Sequence, residues 1–192
     1  MKTLLLATDS QLVQEFRNGN DKALEFLIWR YKEKVFSSIL FLVKDKYLAE
    51  DLFQDTFIKV VDMIRDGSYT EEGKFLAYVV RIAHNICIDH FRKIKRVQIL
   101  NIPDNDAFEV AASYDNAADR NIIQFETSDR VRILLNQLPA DQREVIVLRH
   151  FANLSFKDIA TMTNCSINTA LGRMRYALAN LRKFLDEKQI AM

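Results

Sequence analysis

The sequence is poor in the residues that interrupt helices and in those that build disulfide or metal frameworks. Its 192 residues include four glycines, two prolines and two cysteines. Cys87 and Cys165 lie far apart and form no CxxC pair, which gives no metal framework and agrees with a reducing compartment. No apolar run approaches the roughly 18 residues of a membrane span, and the start "MKTLLLATDS" reaches Asp9 too soon for a secretion signal. A cytoplasmic protein without membrane insertion is therefore expected.

Sequence motifs of catalysis are also missing. There is no Walker loop, no GxSxG, no glycine-rich phosphate cradle and no HExxH. His84 and Cys87 are spaced for one side of a helix, but His90 lies on a different side and no carboxylate set accompanies them. The sequence therefore predicts a protein that is not an enzyme, with no catalytic residue, no metal ligand and no cofactor.

The composition that is present favours helices. Hydrophobic residues make up 49% and charged residues 28% of the chain, and the apolar residues recur at spacings of three and four. Helices are predicted within residues 10–20, 21–44, 48–67 and 73–96, and again within 127–137, 141–151, 155–163 and 166–188. We therefore predict an all-α fold of two small helical domains, residues 1–96 and 130–192.

Charge divides the chain into three parts. Residues 1–96 carry net +2, residues 97–129 net −6 and residues 130–192 net +5. The middle part contains Pro103 and several Asp and Asn turn formers, and its apolar residues show little sustained period. It is predicted to be a flexible acidic linker, either a solvated spacer or a segment that repels nucleic acid or shields a basic face in the free protein.

The last two predicted helices have the pattern of a helix-turn-helix. Ser155 and Asp158 form a capping-box-like start, Asn164 tolerates the left-handed geometry that ends a helix, and Ser166 can cap the next one. Two short helices joined by so short a turn are typical of DNA-binding domains.

The second of these helices has distinct faces. At about 100° per residue, one apolar stripe contains Ile167, Ala170, Met174, Ala177, Leu178 and Leu181, with Leu171 at its edge. Gly172 points nearly opposite, beside Asn168 and Arg175, with Thr169, Arg173 and Tyr176 flanking. A small, polar, cationic face suits a helix that enters a major groove, although a solvated amphipathic helix has the same pattern.

Residues 134–185 closely resemble the promoter-binding C-terminal domain of bacterial sigma factors of the extracytoplasmic-function group. The matching pieces are Leu138-Pro139, Gln142 through Ile146, Leu154 through Ala160, and Ser166 through Ala177. The chain departs from the family at Leu171, where a basic residue is frequent, and at Gly172, where Ser or Asn is frequent. The resemblance implies minus-35 DNA binding by Lys157, Ser166, Asn168, Thr169, Gly172, Arg173, Arg175 and Tyr176.

The segment "AEDLFQDTFIKVV", residues 49–61, resembles the helix of the same family that docks on the clamp-helix coiled coil of RNA polymerase. Asp51, Gln54 and Asp55 match its polar positions and share one helix face at spacings i, i+3 and i+4. Leu52, Phe53, Phe57 and Val60 remain available for the core. The resemblance therefore implies polymerase binding by the three polar residues.

Residues 66–96 resemble the region of the family that opens and reads the minus-10 element. A loop precedes a helix with a polar side and a cationic end, which suits single-stranded DNA. The implied DNA-binding residues are Ser68, Tyr69, Lys74, Tyr78, Arg81, Asn85, Arg92, Lys93 and Arg96. Core packing is the alternative for Phe75 and Tyr78, and a solvated helix end is the alternative for the basic run.

The resemblance covers nearly the whole chain and implies a sigma factor. Such a protein binds core RNA polymerase and promoter DNA, directs transcription initiation at minus-10 and minus-35 elements, and is held inactive by an anti-sigma factor. It is expected to be a monomer when free. Two alternatives remain at this point: a helix-turn-helix regulator with an unrelated sensor domain, and a polymerase-binding adaptor that does not read DNA.

Overall fold

The computed structural model describes residues 6–70, 73–100, 131 and 133–190, and these residues contain helices and no strand. Four helices form the N-terminal part: α1 (Asp9–Arg17), α2 (Asp21–Val43), α3 (Lys46–Arg65) and α4 (Phe75–Leu100). The C-terminal part has α5 (Ala140–Ile146), a π-helical turn (Val147–Phe151), α6 (Phe156–Met162) and α7 (Ile167–Ile190). The all-α prediction is confirmed.

Helices α1 and α3 begin and end at residues with a clear local cause. Thr8 caps α1 in a full capping box with Gln11, and the Asp45 side chain accepts a hydrogen bond from Leu48 N at the start of α3. Such caps stabilise a helix by about 1 kcal/mol each. Gly19 and Gly67, which the sequence places at helix ends, adopt φ angles of +93° and +80° that suit glycine.

The four N-terminal helices pack around one apolar core. Leu27, Ile39, Val60 and Phe75 are fully or almost fully buried, one or more from each of α2, α3 and α4. Helix α1 is fastened by Asp9, whose carboxylate accepts hydrogen bonds from Arg30 and Tyr31 at 2.6 Å each. Burial and the Asp9 carboxylate raise the pKa of Tyr31 to about 12, so this phenol stays a neutral donor at ordinary pH.

The C-terminal helices bury a second set of residues. Leu148, Ile159, Ala170 and Ala177 are fully buried where α5, α6 and α7 meet. The segment predicted as one helix over residues 141–151 is instead α5 followed by the π-helical turn. Its wider turn ends at Ala152, whose N–H bonds to the carbonyl of Val147. That turn carries Phe151 to the N-terminal part of the molecule.

The two parts are in direct contact. The ring centroids of Phe41 in α2 and Phe151 lie 4.5 Å apart. His84 Nε2 in α4 and Glu144 Oε1 in α5 are 2.7 Å apart, and the His84 side chain is only 6% exposed. An aromatic pair contributes about 1 kcal/mol beyond its buried area. An apolar contact and a polar contact therefore hold the closed arrangement together.

Some predicted segments lie beyond what the structure describes. The acidic linker, residues 97–129, is outside the described residues apart from the end of α4, and so is most of the helix predicted over 127–137, of which residues 133–136 are helical. Among the described helices, none is long and apolar enough to cross a membrane.

Candidate protein- and nucleic-acid-binding surfaces

Helix α3 presents an acidic face to solvent. Asp51, Gln54 and Asp55 are exposed along one side of the helix, as their spacing predicts. On the other side Leu52, Thr56, Phe57 and Val60 are buried, and Phe53 is half-buried against them. We call the exposed side, Asp51, Gln54 and Asp55, the acidic face. Since the rest of the helix is anchored in the core, the backbone positions that carry these side chains are fixed relative to the bundle.

An apolar groove adjoins the acidic face, which sequence reasoning missed. Its volume is about 530 Å³, and it is lined by Ile28, Phe53, Gln54, Phe57, Ile58, Val61, Asp62 and Arg65. Ile58 is 60% exposed. The sequence signal that could have revealed the groove is the position of Ile58. It follows Gln54 by four residues and Asp55 by three, so it lies on the same side of α3. The surface therefore offers carboxylates beside apolar area, a combination suited to a protein partner.

The loop after α3 is shaped by backbone contacts. Asp66 accepts a hydrogen bond from the Ser68 backbone N–H at 2.8 Å, and hydrogen bonds from Ser68 hold the pKa of Asp66 below its usual value. The guanidinium of Arg17 in α1 donates to the backbone carbonyls of Ile64 and Tyr69. Helix α1 thus fixes the loop in front of α4, leaving Ser68 exposed.

The structure buries Tyr69, which the resemblance names among the DNA-binding residues. Its side chain is 3% exposed and its ring packs against Phe75 and Tyr78, at centroid distances of 5.9 and 4.4 Å. Phe75 is fully buried, in agreement with the core alternative, and Tyr78 is half-buried with its hydroxyl 3.1 Å from the Met63 sulfur. The Tyr69 ring is buried because packing the rings together removes apolar area from water, which stabilises the folded loop.

Helix α4 carries a polar and mainly cationic face. Its exposed members are Arg81, Asn85, Arg92, Lys93 and Arg96, and Lys74 is exposed just before the helix. Asp89 lies on the same side and pairs with Arg92 at 3.3 Å. The opposite side, including Val79, Ala83 and Cys87, is buried. We call Lys74, Arg81, Asn85, Arg92, Lys93 and Arg96 the basic face of α4. It extends over several turns of the helix, as a surface that follows the phosphates of a strand must do.

The helix-turn-helix has the predicted caps. Ser155 Oγ accepts from Asp158 N at 3.2 Å, Asn164 has a φ of +55°, and Ser166 Oγ accepts from Thr169 N at 3.0 Å. The Ser166 and Thr169 hydroxyls are also hydrogen-bonded to each other at 2.8 Å. Both hydroxyls therefore already have a structural role at the start of α7. Lys157 is exposed on α6.

The outward side of α7 contains the predicted reading residues. Asn168, Arg175 and Tyr176 are exposed, with Arg175 stacked on the Tyr176 ring at 5.3 Å. A Cβ added at Gly172 would meet nothing within 4 Å, which confirms that this glycine is not a packing device. Arg173 is less free than its position suggested, because its Nε lies 3.1 Å from a carboxylate oxygen of Asp141 in α5. We call Asn168, Thr169, Gly172, Arg173, Arg175 and Tyr176 the reading face.

The predicted apolar stripe of α7 is partly wrong. Ala170, Met174 and Ala177 are buried and Leu181 packs against the core, but Ile167 is 47% and Leu178 39% exposed. The reason is that α5 and α6 contact a narrower strip of α7 than the periodicity of its apolar residues spans. Leu171, expected at the edge of the stripe, is 44% exposed.

His84 and Cys87 have structural surroundings. His84 contacts Glu144, as described above, while Cys87 is fully buried. Burial raises the pKa of the Cys87 thiol to about 12, so it stays protonated. Within the described part of the chain, no three His, Cys, Asp or Glu side chains are grouped to hold a metal ion.

Comparisons with known proteins match both helical parts of the chain. A family model for sigma-70 region 2 matches residues 27–97, and a model for sigma-70 region 4 matches residues 128–181. The RNA polymerase sigma-H factor of Pseudomonas aeruginosa is 30% identical over 187 residues, covering 93% of this chain and 94% of that protein. The extracytoplasmic-function sigma factor SigW of Bacillus subtilis is 25% identical, covering 91% of this chain and 95% of that protein.

Solved structures share the fold. CnrH in complex with the cytosolic domain of CnrY superposes with a TM-score of 0.62 at 24% identity, over 93% of this chain and 97% of that one. RpoE from Bartonella quintana, in complex with the anti-sigma factor NepR, gives a TM-score of 0.64 at 24% identity, over 86% and 98%. The likeness thus extends over both helical parts.

Proposed function

The chain belongs to the sigma-70 family of RNA polymerase sigma factors, in its extracytoplasmic-function group, and we propose which of its surfaces perform each step of promoter-directed initiation. The acidic face of α3, Asp51, Gln54 and Asp55, binds core RNA polymerase. The basic face of α4 binds the minus-10 element, and the reading face of α7 binds the minus-35 element. In this division residues 1–96 form one functional domain and residues 130–192 the other, joined by the linker.

The observation that carries this proposal is the succession of opposite charges on one rigid bundle. The acidic face of α3 would repel DNA, whereas the basic face of the next helix attracts it. A protein that bound DNA alone would have no use for the first surface, and an adaptor that bound polymerase alone would have no use for the second. A sigma factor uses both.

The minus-10 side of the proposal depends on exposed residues. Lys74, Arg81, Arg92, Lys93 and Arg96 supply positive charge along the phosphates, and Asn85 supplies an amide for a base edge. Ser68 lies on the loop that α1 fixes, and Tyr78 is half-buried beside it. Tyr69 contributes by supporting this loop from inside.

The closed arrangement is not expected to read both promoter elements at once. Their names place the two elements about 25 base pairs apart, which is about 85 Å along the duplex at about 3.4 Å per base pair. Phe41 and Phe151, one from each part, have ring centroids 4.5 Å apart. We therefore propose that the domain contact opens when the protein joins polymerase and promoter DNA, with the acidic linker allowing the separation.

An anti-sigma factor is the proposed inhibitory partner, in line with the complexes of CnrH with the cytosolic domain of CnrY and of RpoE with NepR. The free protein is proposed to be a monomer in the cytoplasm, where polymerase and promoter DNA are found. The chain supplies binding and positioning, and the chemistry of RNA synthesis belongs to the polymerase.

In vitro transcription tests the proposed function. Core RNA polymerase alone is compared with core polymerase plus this protein on fragmented DNA of the source genome, and transcript starts are mapped. Starts that require the protein and share minus-10 and minus-35 sequences are expected. Tight promoter binding without polymerase, and no start that depends on the protein, would instead favour the helix-turn-helix regulator.

A further inference from the structure

One arginine of the reading face is held by a neighbouring helix. Arg173 Nε lies 3.1 Å from Asp141 Oδ2, and the two side chains are 28% and 49% exposed. Asp141 is in the first turn of α5, and the next residue, Gln142, accepts a hydrogen bond from Asn180 Nδ2 of α7 at 2.8 Å. Two polar contacts therefore fix the part of α7 around Arg173 against α5.

This contact limits what the guanidinium can do. Arginine has five donors in a planar fork, and Asp141 takes the donor nearest the chain. The terminal nitrogens remain for a ligand, and one orientation of a long side chain is selected before DNA arrives. Since a free arginine loses rotamer freedom on binding, a positioned one is better prepared for a directional contact.

The contact also changes the electrostatics of the reading face. A carboxylate 3.1 Å from Arg173 offsets much of its positive charge. Attraction to phosphates depends on that charge, whereas hydrogen bonding to a base edge depends on direction. Arg175 is exposed and lies over the Tyr176 ring instead. The two arginines are thus prepared differently, Arg173 for a base edge and Arg175 for phosphate.

We propose that Asp141 is a positioning residue for minus-35 recognition. It orients Arg173 towards a base edge and keeps the guanidinium from closing on the nearest phosphate. Asp141 thereby contributes to promoter choice without contacting DNA itself. This inference rests on the proposed function of the reading face, and the experiment separates the two.

The test uses the full chain bound to core RNA polymerase and a pool of promoter fragments in which the minus-35 segment is randomised. Bound fragments are sequenced for the wild type and for Asp141→Ala, Asp141→Asn, Arg173→Ala and the Asp141→Ala/Arg173→Ala double variant. Asp186→Ala is the matched control, because it removes the same charge from an exposed position near the other end of α7. Melting temperatures of all variants are measured in parallel.

Arg173→Ala is expected to flatten the preference at one or two base positions by about fivefold or more. Asp141→Ala should flatten the same positions, and the double variant should be no worse than Arg173→Ala alone. For Asp141→Ala we measure binding to promoter-free DNA at several salt concentrations. The slope of log K against log salt concentration should become steeper by about 0.9, which corresponds to one more phosphate contact. Asp141→Asn keeps an oxygen that accepts from Arg173 Nε but carries no charge. Its base preference should therefore match that of the wild type, while its salt slope should be as steep as that of Asp141→Ala.

Each negative result would contradict a different part of the proposal. An unchanged preference in Arg173→Ala would remove Arg173 from the proposed reading face. A flattened preference in Arg173→Ala but not in Asp141→Ala would overturn the positioning role alone. The positioning role would also be overturned if Asp141→Ala changed the base preference equally in the presence and absence of Arg173. The same loss of preference in Asp186→Ala would overturn it as well. If Asp141→Ala melts too early to be assayed, Asp141→Asn decides: an unchanged salt slope overturns the proposal.

Discussion

Gly172 lies inside α7 although glycine destabilises a helix interior by about 1 kcal/mol relative to alanine. Nothing outside the helix requires it, because an added Cβ would meet no atom within 4 Å. The residue stands on the reading face, between Leu171 and Arg173. Two interpretations therefore remain: close approach of the helix backbone to DNA, or a read-out that differs from that of related sigma factors.

Replacing Gly172 by serine is expected to raise the free energy of unfolding by about 0.5 kcal/mol, because serine has the better helix propensity and meets no clash. Urea unfolding measures this. Gly67→Ser is the matched control and should be destabilising, since φ at Gly67 is +80°. Promoter binding that weakens as stability rises would support close approach. An unchanged minus-35 preference would leave close approach without support.

At the scale of the element, α3 shows how one helix serves two purposes. Its buried side, with Leu52, Phe57 and Val60, joins the bundle core, and this fixes the angle at which the acidic face meets solvent. The groove with Ile58 continues that surface. Because the anchoring and the exposed residues alternate along the same turns, the exposed charges can be changed without touching the core.

Reversing the charges with Asp51→Lys and Asp55→Lys is expected to weaken binding to core polymerase at least tenfold, or about 1.4 kcal/mol, because two carboxylates would no longer meet a basic partner surface. Affinity is measured with a fluorescently labelled protein titrated with core polymerase. Glu50→Lys is the control, an exposed position about a quarter turn away on the same helix. Glu50→Lys changes the charge by half as much, so a loss of about half the binding free energy in this control would show a general charge effect and contradict a defined acidic face.

For the whole molecule, the contact between the two parts is the decisive feature. Phe41 with Phe151, and His84 with Glu144, hold the described helices in one closed arrangement. Each part also has fully buried residues of its own, such as Leu27 and Val60 in one and Ile159 and Ala177 in the other, so we expect the contact to open while both parts remain folded. We expect it to be present in the free protein and absent in the promoter complex.

Energy transfer between two dyes tests this opening. Dyes are attached in a Cys165→Ser background at Glu25→Cys and Asp186→Cys, while Cys87 stays unlabelled because it is buried with a pKa of about 12. Transfer should be high in the free protein and low with polymerase and promoter. Phe151→Ala should lower it in the free protein, whereas Leu185→Ala, an exposed apolar position on α7, should not. Low transfer in the free wild type would contradict a closed state.

The sequence by itself determined most of the helices, the caps at Ser155 and Ser166, and the family. Periodicity placed the buried sides of α3 and α4, and local hydrogen bonding explains why Ser155 and Ser166 were recognisable as caps, since a cap depends on residues three positions away. The positions of Asp51, Gln54, Asp55, Arg81 and Arg175 on exposed sides followed from the same 3.6-residue repeat.

Only the tertiary structure decided the contacts between distant residues. His84 and Glu144 are 60 positions apart, and Arg17 and Tyr69 are 52 apart. Asp141 and Arg173 meet only because α5 packs on α7. These contacts depend on how helices cross, which periodicity does not specify, and the same reason accounts for the burial of Tyr69 and the exposure of Ile167. A repeat along one helix states which side is apolar; what covers that side is settled by packing.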